Sequence, residues 1–349
     1  MSAATYADVV EAQRIPALVR LTGNLYALAY RLMKMVPARH ILRQARASGL
    51  LDPGTTVVET TSGTFGLALA MQCALHAQPL VLVGDPVIDA RLHRQLTDLG
   101  ATVDIVRERA AHGGFQTTRL RRVAEIRERI GATFCPEQYS NPANPAAYAM
   151  IADLLSDALG QVDCLVGPVG SGGSMCGTTR YLRQGSPDLV SIGIDTNHSV
   201  LFGQDDGPRE LRGLGNSLMP ANLDHTQFDE VHWLGAADVY AATRELHRRH
   251  ALFMGPTAGA AYLVGSWWAR RQPDALTVVV LPDEGHRYHD TVYDDGWLAA
   301  NGLQLGRRPD GPVEVAAPRD AADGWCRFAW RRRSLAEVGD AVALAEVAR

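Results

Sequence analysis

Lysine is almost missing from this chain. Lys+Arg total 34 among 349 residues, and the single lysine is Lys34; the other 33 are arginines. Surface ion pairs and phosphate contacts are served as well or better by arginine. A guanidinium does not lose its proton near neutral pH to attack a carbonyl carbon, whereas a lysine amine does once its pKa is lowered. Lys34 is therefore either a residue kept for amine chemistry or a leftover in an arginine-biased chain, and its surroundings must decide. Cysteine is also scarce: Cys73, Cys135, Cys164, Cys176 and Cys326 stand singly with no CxxC pair. That spacing disfavours a disulfide framework and a zinc site, so reduced, buried thiols are expected. The 11 histidines contain no HExxH, and His286 and His289, three apart, read as solvated or packed side chains. No metal is expected. No apolar run approaches the roughly 20 residues of a membrane span. A net charge of -4 offers nucleic acid or an acidic membrane surface no electrostatic attraction. The opening segment MSAATYADVVEAQRIP has no apolar core of an export signal, so a cytoplasmic location is expected.

What the chain does contain is ordinary globular material, 46% hydrophobic and 21% charged, long enough for two α/β lobes or one large domain. Residues 38–48 have helical spacing and stop at Gly49. Pro53-Gly54 turns into a strand at Thr56–Glu59, followed by the loop TSGTFG at 61–66 and an apolar helix. Strands at 79–84 and 101–106 flank a further helix. After SNPANP the alternation resumes, with strands at 163–170 and 189–195, two helices, and a strand in ALTVVVLPDEG. Alternating strands and helices predict parallel sheets with helices on both faces. The stretch from about 305 onward is richer in proline, aspartate and arginine. It ends in a helix opened by the capping-box pair Ser334 and Glu337, expected to pack on the body or on a second subunit rather than to form a basic patch at Arg331–Arg333.

Two glycine-bearing loops carry the chemistry. Gly170, Ser171, Gly172, Gly173 and Ser174 follow an apolar strand and lead into a helix, where backbone N–H groups face an anion. Met175 stands where a dinucleotide fingerprint needs its third glycine, so a single phosphate suits the loop better. The second loop offers N–H groups and the hydroxyls of Thr61, Ser62 and Thr64 around Gly63 to a carboxylate. Two anion cradles and one special lysine match a phosphorylated aldehyde cofactor together with an amino-acid carboxylate.

The order of these motifs resembles the fold-type-II pyridoxal-phosphate enzymes of the cysteine synthase and cystathionine β-synthase family, over roughly residues 20–295. Lys34 lies 15 residues before Gly49, as the family's Schiff-base lysine would. VVETTSGTFGLALA resembles the substrate-carboxylate loop, GATFCPEQYSNPANPAAY the segment supplying Gln138, and GSGGS the phosphate cup. RGLGNSLMP at 212–220 resembles the active-site glycine loop, and GPTAGAA with LPDEGHRY the segment near the pyridine nitrogen. The resemblance implies an α/β, tryptophan-synthase-β-like fold with two parallel-sheet, three-layer lobes. A larger cofactor domain would take residues 1–44 and 149–304, a smaller gating domain 45–148, and 305–349 would be a C-terminal extension. It implies pyridoxal 5'-phosphate held by Lys34, Thr64, Gly170–Ser174 and Glu284. The substrate would be held by Thr61, Ser62, Gly63, Thr64, Gln138, Arg212 and Gly213. The partners implied are a small amino acid and a small nucleophile, in a homodimer, with neither nucleic acid nor membrane involved.

Departures from the family pattern bear on the reaction. Leu32-Met33-Lys34-Met35-Val36 replaces the usual flanks, Thr64 replaces an asparagine at the cofactor 3′-oxygen, and Glu284 stands where serine commonly meets the ring nitrogen. A carboxylate there favours a protonated, stronger electron sink. Arg212 suggests a phosphate or second carboxylate, as in O-phosphoserine. The implied activity is β-replacement on O-acetylserine, O-phosphoserine, serine or cysteine through an aminoacrylate. The rivals are β-elimination, diamino-acid synthesis with an amine nucleophile, a weakened regulatory protein on the same fold, and a nucleotide-binding oxidoreductase. Borohydride reduction after incubation with pyridoxal 5'-phosphate should leave a stable adduct on Lys34, located by peptide mass mapping. An unmodified Lys34 would remove the basis of this assignment.

Overall fold

The computed structural model describes residues 5–211, 213–306 and 309–347. The chain folds into two compact units. One takes residues up to Ile15 and Leu32–Ala147, the other Pro16–Arg31 and everything from Tyr148 onward. The chain thus crosses between units just before Lys34, and Lys34 belongs to the smaller unit. The boundary expected at 45 lies at Leu32, and the C-terminal stretch is part of the larger unit.

The strands, in chain order, are β1 (Ala17–Arg20), β2 (Leu25–Ala29), β3 (Thr56–Thr60), β4 (Leu80–Gly84), β5 (Thr102–Ile105) and β6 (Thr133–Phe134). They continue with β7 (Cys164–Pro168), β8 (Val190–Asp195), β9 (Glu230–Leu234), β10 (Thr277–Leu281), β11 (Val313–Glu314) and β12 (Trp325–Ala329). The smaller unit has a sheet in the order β5-β4-β3-β6, parallel throughout. The larger unit has the order β1-β2-β10-β7-β8-β9-β12-β11. Its five middle strands are parallel, while β1 and β12 join antiparallel at β2 and β9. Every residue of β7 and of β10 is buried. Valine-rich runs of this kind suit central parallel strands covered on both faces.

Helices cover these sheets closely. The helix Pro256–Arg271 packs on Ala236–His250 and β10. A Cβ at Gly259 would run into Thr243, and one at Gly265 into Val279, so two missing side chains let the helix sit down. In the smaller unit the helix Met35–Ala47 packs against Thr64–Leu75. Their shared core includes Leu32, Met35, Ile41, Leu42, Phe65 and Leu69. No helix among the described residues is long and apolar enough to cross a membrane.

The C-terminal stretch is tied in by a strand that composition did not reveal. Along β12, the Trp325 indole N–H donates to His232 Nδ1 at 2.9 Å, and His232 Nε2 lies 3.2 Å from Glu230. Arg327 binds both Glu230 oxygens at 2.8 Å. Burial pushes the Glu230 carboxyl up, but bonds from His232 and Arg327 outweigh it and hold it down at about 2. Ser334 and Glu337 form the expected capping box, at 2.7 and 3.3 Å. Arg332 binds Asp229 at 2.7 Å and Trp330 is fully buried, so this end of the chain docks on its own body. Trp325→Ala should cost roughly 3 kcal/mol of stability, the usual range for a buried tryptophan. The check is a chemical denaturation midpoint; an unchanged midpoint would mean that β12 is dispensable.

Candidate active site

In the smaller unit, Lys34 is the residue immediately preceding the helix Met35–Ala47. Its carbonyl accepts the first helical bond, from Ala38 N–H at 3.1 Å. The unusual flanks have a physical reason: Leu32, Met33 and Met35 are all buried and fix the turn in the core. Lys34 itself keeps part of its surface exposed. Desolvation pushes its ammonium down to about 8. The partial positive charge of a helix N-terminus acts in the same direction.

The Thr61–Gly66 loop joins β3 to the helix Thr64–Leu75. Thr61 builds the loop from inside: its hydroxyl accepts N–H bonds from Gly63 at 3.0 Å and Gly66 at 2.9 Å. Ser62 is exposed and Thr64 half-buried at the helix start. Beside this loop lies Gln138, 5% exposed, whose side-chain N–H donates to the Thr60 carbonyl at 3.3 Å. Thr61, Ser62, Gly63, Thr64 and Gln138 are thus gathered at the C-terminal end of β3, the end where open α/β sheets bind ligands.

Two residues in this cluster were missed in the sequence reading. Glu59 is 1% exposed and receives N–H bonds from Thr60 at 2.7 Å and Gln138 at 3.2 Å. Arg119, from the helix Gly114–Ile130, is 5% exposed and faces Asp85 at 3.4 Å. Its Nε and Nη1 have no hydrogen-bond acceptor, although a bond to Tyr139 engages the guanidinium. Buried donors left without acceptors are uncommon and ask for an explanation. One signal was available: Arg119 falls on the buried stripe Gln116, Arg119, Val123, Ile126, where an apolar residue belongs.

In the larger unit, β7 runs into the loop Gly170–Ser174 and the helix Gly173–Leu182. Gly172 is left-handed, with φ +82, and a Cβ there would meet Leu223 Cα at 2.7 Å and the Asn222 carbonyl oxygen at 2.8 Å. The loop is tied to the 213–216 turn: Gly215 N–H donates to Val169 O at 3.3 Å, and the Asn216 side chain to Gly170 O at 3.4 Å. Gly213 has φ +85 and lies against Thr257. Arg212 lies outside the described residues. Glu284 sits just after β10, its carboxylate 3.3 Å from Arg31 and 3.5 Å from His286. The neighbouring Asp283 is buried, accepts from Tyr288 at 3.0 Å, and is pushed up to about 6 by burial.

A sequence profile described as "Pyridoxal-phosphate dependent enzyme" matches residues 32–283. The chain belongs to this family. It is a pyridoxal-phosphate-dependent enzyme, a transferase or lyase by its relatives. It is 32% identical over 330 residues to an N-(2-amino-2-carboxyethyl)-L-glutamate synthase of Ralstonia nicotianae, covering 91% of this chain and 97% of that protein. A protein of the same name from Cupriavidus metallidurans is 35% identical over 270 residues, covering 75% and 79%. Among solved structures, the O-acetylserine dependent cystathionine beta-synthase of Helicobacter pylori superposes with a TM-score of 0.75. It shares 25% identity and covers 82% of this chain and 98% of its own. An O-ureido-L-serine synthase gives 0.76 at 25% identity, covering 85% and 100%. These neighbours share the α/β, fold-type-II architecture expected from the motifs.

The residues present fit the cofactor. One lysine has an amine pushed toward neutrality, and one βα loop has a glycine whose hydrogen is all its neighbours leave room for. Gly172→Ala should weaken cofactor binding by at least about tenfold, because the loop must shift to admit a methyl group at positive φ. Titration of the cofactor absorbance measures this, and a variant that binds as tightly as the parent would contradict it.

Proposed function

We propose that the chain catalyses β-replacement on a serine-derived amino acid, with the amine of a dicarboxylic amino acid such as glutamate as the incoming nucleophile. The observation that carries this reading is the likeness to two N-(2-amino-2-carboxyethyl)-L-glutamate synthases, one over 91% and the other over 75% of this chain. Among the readings left open by the motifs, it favours the diamino-acid type with an amine nucleophile over sulfur transfer. In this reaction the α-proton is removed, the β-substituent leaves with its bonding electrons, and the new C–N bond forms at the β-carbon as the attacking nitrogen sheds a proton.

When bound, pyridoxal phosphate supplies an aldehyde carbon for amines and a ring that withdraws charge from the substrate α-carbon. In this reading Lys34 holds the aldehyde, and Gly170–Ser174, at the start of the helix Gly173–Leu182, hold the phosphate. With its amine at about 8, Lys34 has an appreciable neutral fraction near neutral pH and takes and returns the α-proton. The N–H groups of the Thr61–Gly66 loop and the Gln138 side chain orient the substrate carboxylate. Thr61 acts by shaping that loop, since its hydroxyl already serves Gly63 and Gly66.

Arg119 gives the reading its second support. A buried guanidinium bonded to Tyr139 and ion-paired with Asp85 at 3.4 Å, with Nε and Nη1 lacking hydrogen-bond acceptors, suits an extra anionic group on a substrate. Incubation of O-phospho-L-serine or O-acetyl-L-serine with L-glutamate should give a product joined through the glutamate nitrogen, identified by mass spectrometry. Arg119→Gln should raise the KM for glutamate at least about tenfold while sparing the cofactor spectrum, a loss of the size expected for one charged hydrogen-bond partner. Pyruvate and ammonia as the only products, unaffected by glutamate, would overturn the proposal in favour of elimination.

A further inference from the structure

Glu59 lies inside β3, at its C-terminal end, and its carboxylate joins two segments far apart in sequence. One oxygen accepts the Thr60 N–H at 2.7 Å and the other the Gln138 N–H at 3.2 Å. Gln138 in turn donates its side-chain N–H to the Thr60 carbonyl at 3.3 Å, and Asn144 donates to the Gln138 carbonyl at 2.6 Å. The segment that continues into Thr61–Thr64 and the segment that carries Gln138 are therefore registered against each other through one side chain. Two backbone donors need two acceptor oxygens. An ionised carboxylate supplies both, whereas a protonated acid or an amide turns a donor toward one of them.

This arrangement is costly to keep. Glu59 is almost fully buried, and burial pushes its carboxyl up to about 7, against the pull of the Thr60 and Gln138 N–H bonds. The Glu137 carboxylate adds repulsion while its N–H adds a bond; Cys135 and Tyr139 also act on Glu59, and these two are in turn met by Arg127 and by Arg119 with Asp85. For a carboxyl raised from 4.5, the stabilising effect of the bound proton is full at low pH and is lost as pH rises through about 7. Ionised Glu59 thus lowers the stability of its unit, so stability alone does not account for a carboxylate at this buried position.

We propose that Glu59 is a positioning residue: its ionised carboxylate aligns the Thr60 and Gln138 amides so that the Thr61–Thr64 loop and the Gln138 side chain form one substrate-carboxylate site. The inference rests on the assignment of those residues to the substrate carboxylate. Its test uses the full-length, cofactor-loaded protein and two readouts. The first is amide hydrogen-exchange protection of peptides covering residues 60–66 and 135–141, without amino acid. The second is the dissociation constant of L-serine, read from the cofactor absorbance. Glu59→Gln should lower protection about tenfold in those two peptides, leaving the helix Pro256–Arg271 unchanged, and weaken L-serine about tenfold, or about 1.4 kcal/mol. In the wild type, L-serine affinity should fall as pH drops through about 7, and the variant should show no such step. Unchanged protection, a loss spread evenly over the chain, or lost protection with unchanged affinity would each overturn the proposal. Should the variant not fold, the wild-type series decides, and a flat affinity from about pH 5.5 to 8.5 overturns it. A wild type that binds no amino acid, while the variant loses protection as stated, refutes the substrate assignment, and the inference falls with it.

Discussion

The desolvation of one amine is the constraint on which the rest of the molecule depends. Lys34 stands at the start of a helix whose first residues are core, with Leu32, Met33 and Met35 buried around it. The chain gives that amine little water and no helix dipole in its favour, and its ammonium is pushed down to about 8. Every other need for positive charge is met by arginine, which cannot do this chemistry. An amine of this kind serves a carbonyl cofactor, and the family to which the chain belongs uses pyridoxal phosphate.

Each unit carries its own kind of cradle. The larger unit offers a loop held in shape by a left-handed glycine and by Asn216, suited to a phosphate that stays bound. The smaller unit offers a loop built around the Thr61 hydroxyl and registered to Gln138 through Glu59. The first is fixed by backbone sterics. The second hangs on a buried carboxylate pushed up to about 7.

Much of this was legible in the residues, for reasons that also explain what was not. Strands β3, β4, β5, β7, β8 and β10 are valine- and isoleucine-rich runs bounded by turn residues, and local pattern finds them. Strands β9 and β12 carry His232, Glu230 and Arg327, which break the local pattern, and their pairing with each other and with β8 and β11 makes them strands. The domain boundary was set too late because β1 and β2 went unread: with those strands in the larger unit, the crossover falls at Leu32. Glu59 looks like any acid after an apolar run, and burial alone separates it, while Arg119 is marked only by its place on the helix stripe with Val123 and Ile126. The Glu284 side chain engages Arg31 and His286, a link that no motif could reveal.

The central claim is that a desolvated Lys34 amine is the reactive group, and its titration tests this most directly. In a chain with one lysine, the rate of covalent capture of pyridoxal 5'-phosphate, with Lys34→Arg as the blank, reports that amine. The account predicts a rate that rises with pH and levels off above about 8. A rate that keeps climbing toward the ordinary lysine value of 10.5, or one that is the same in the Lys34→Arg protein, would contradict it.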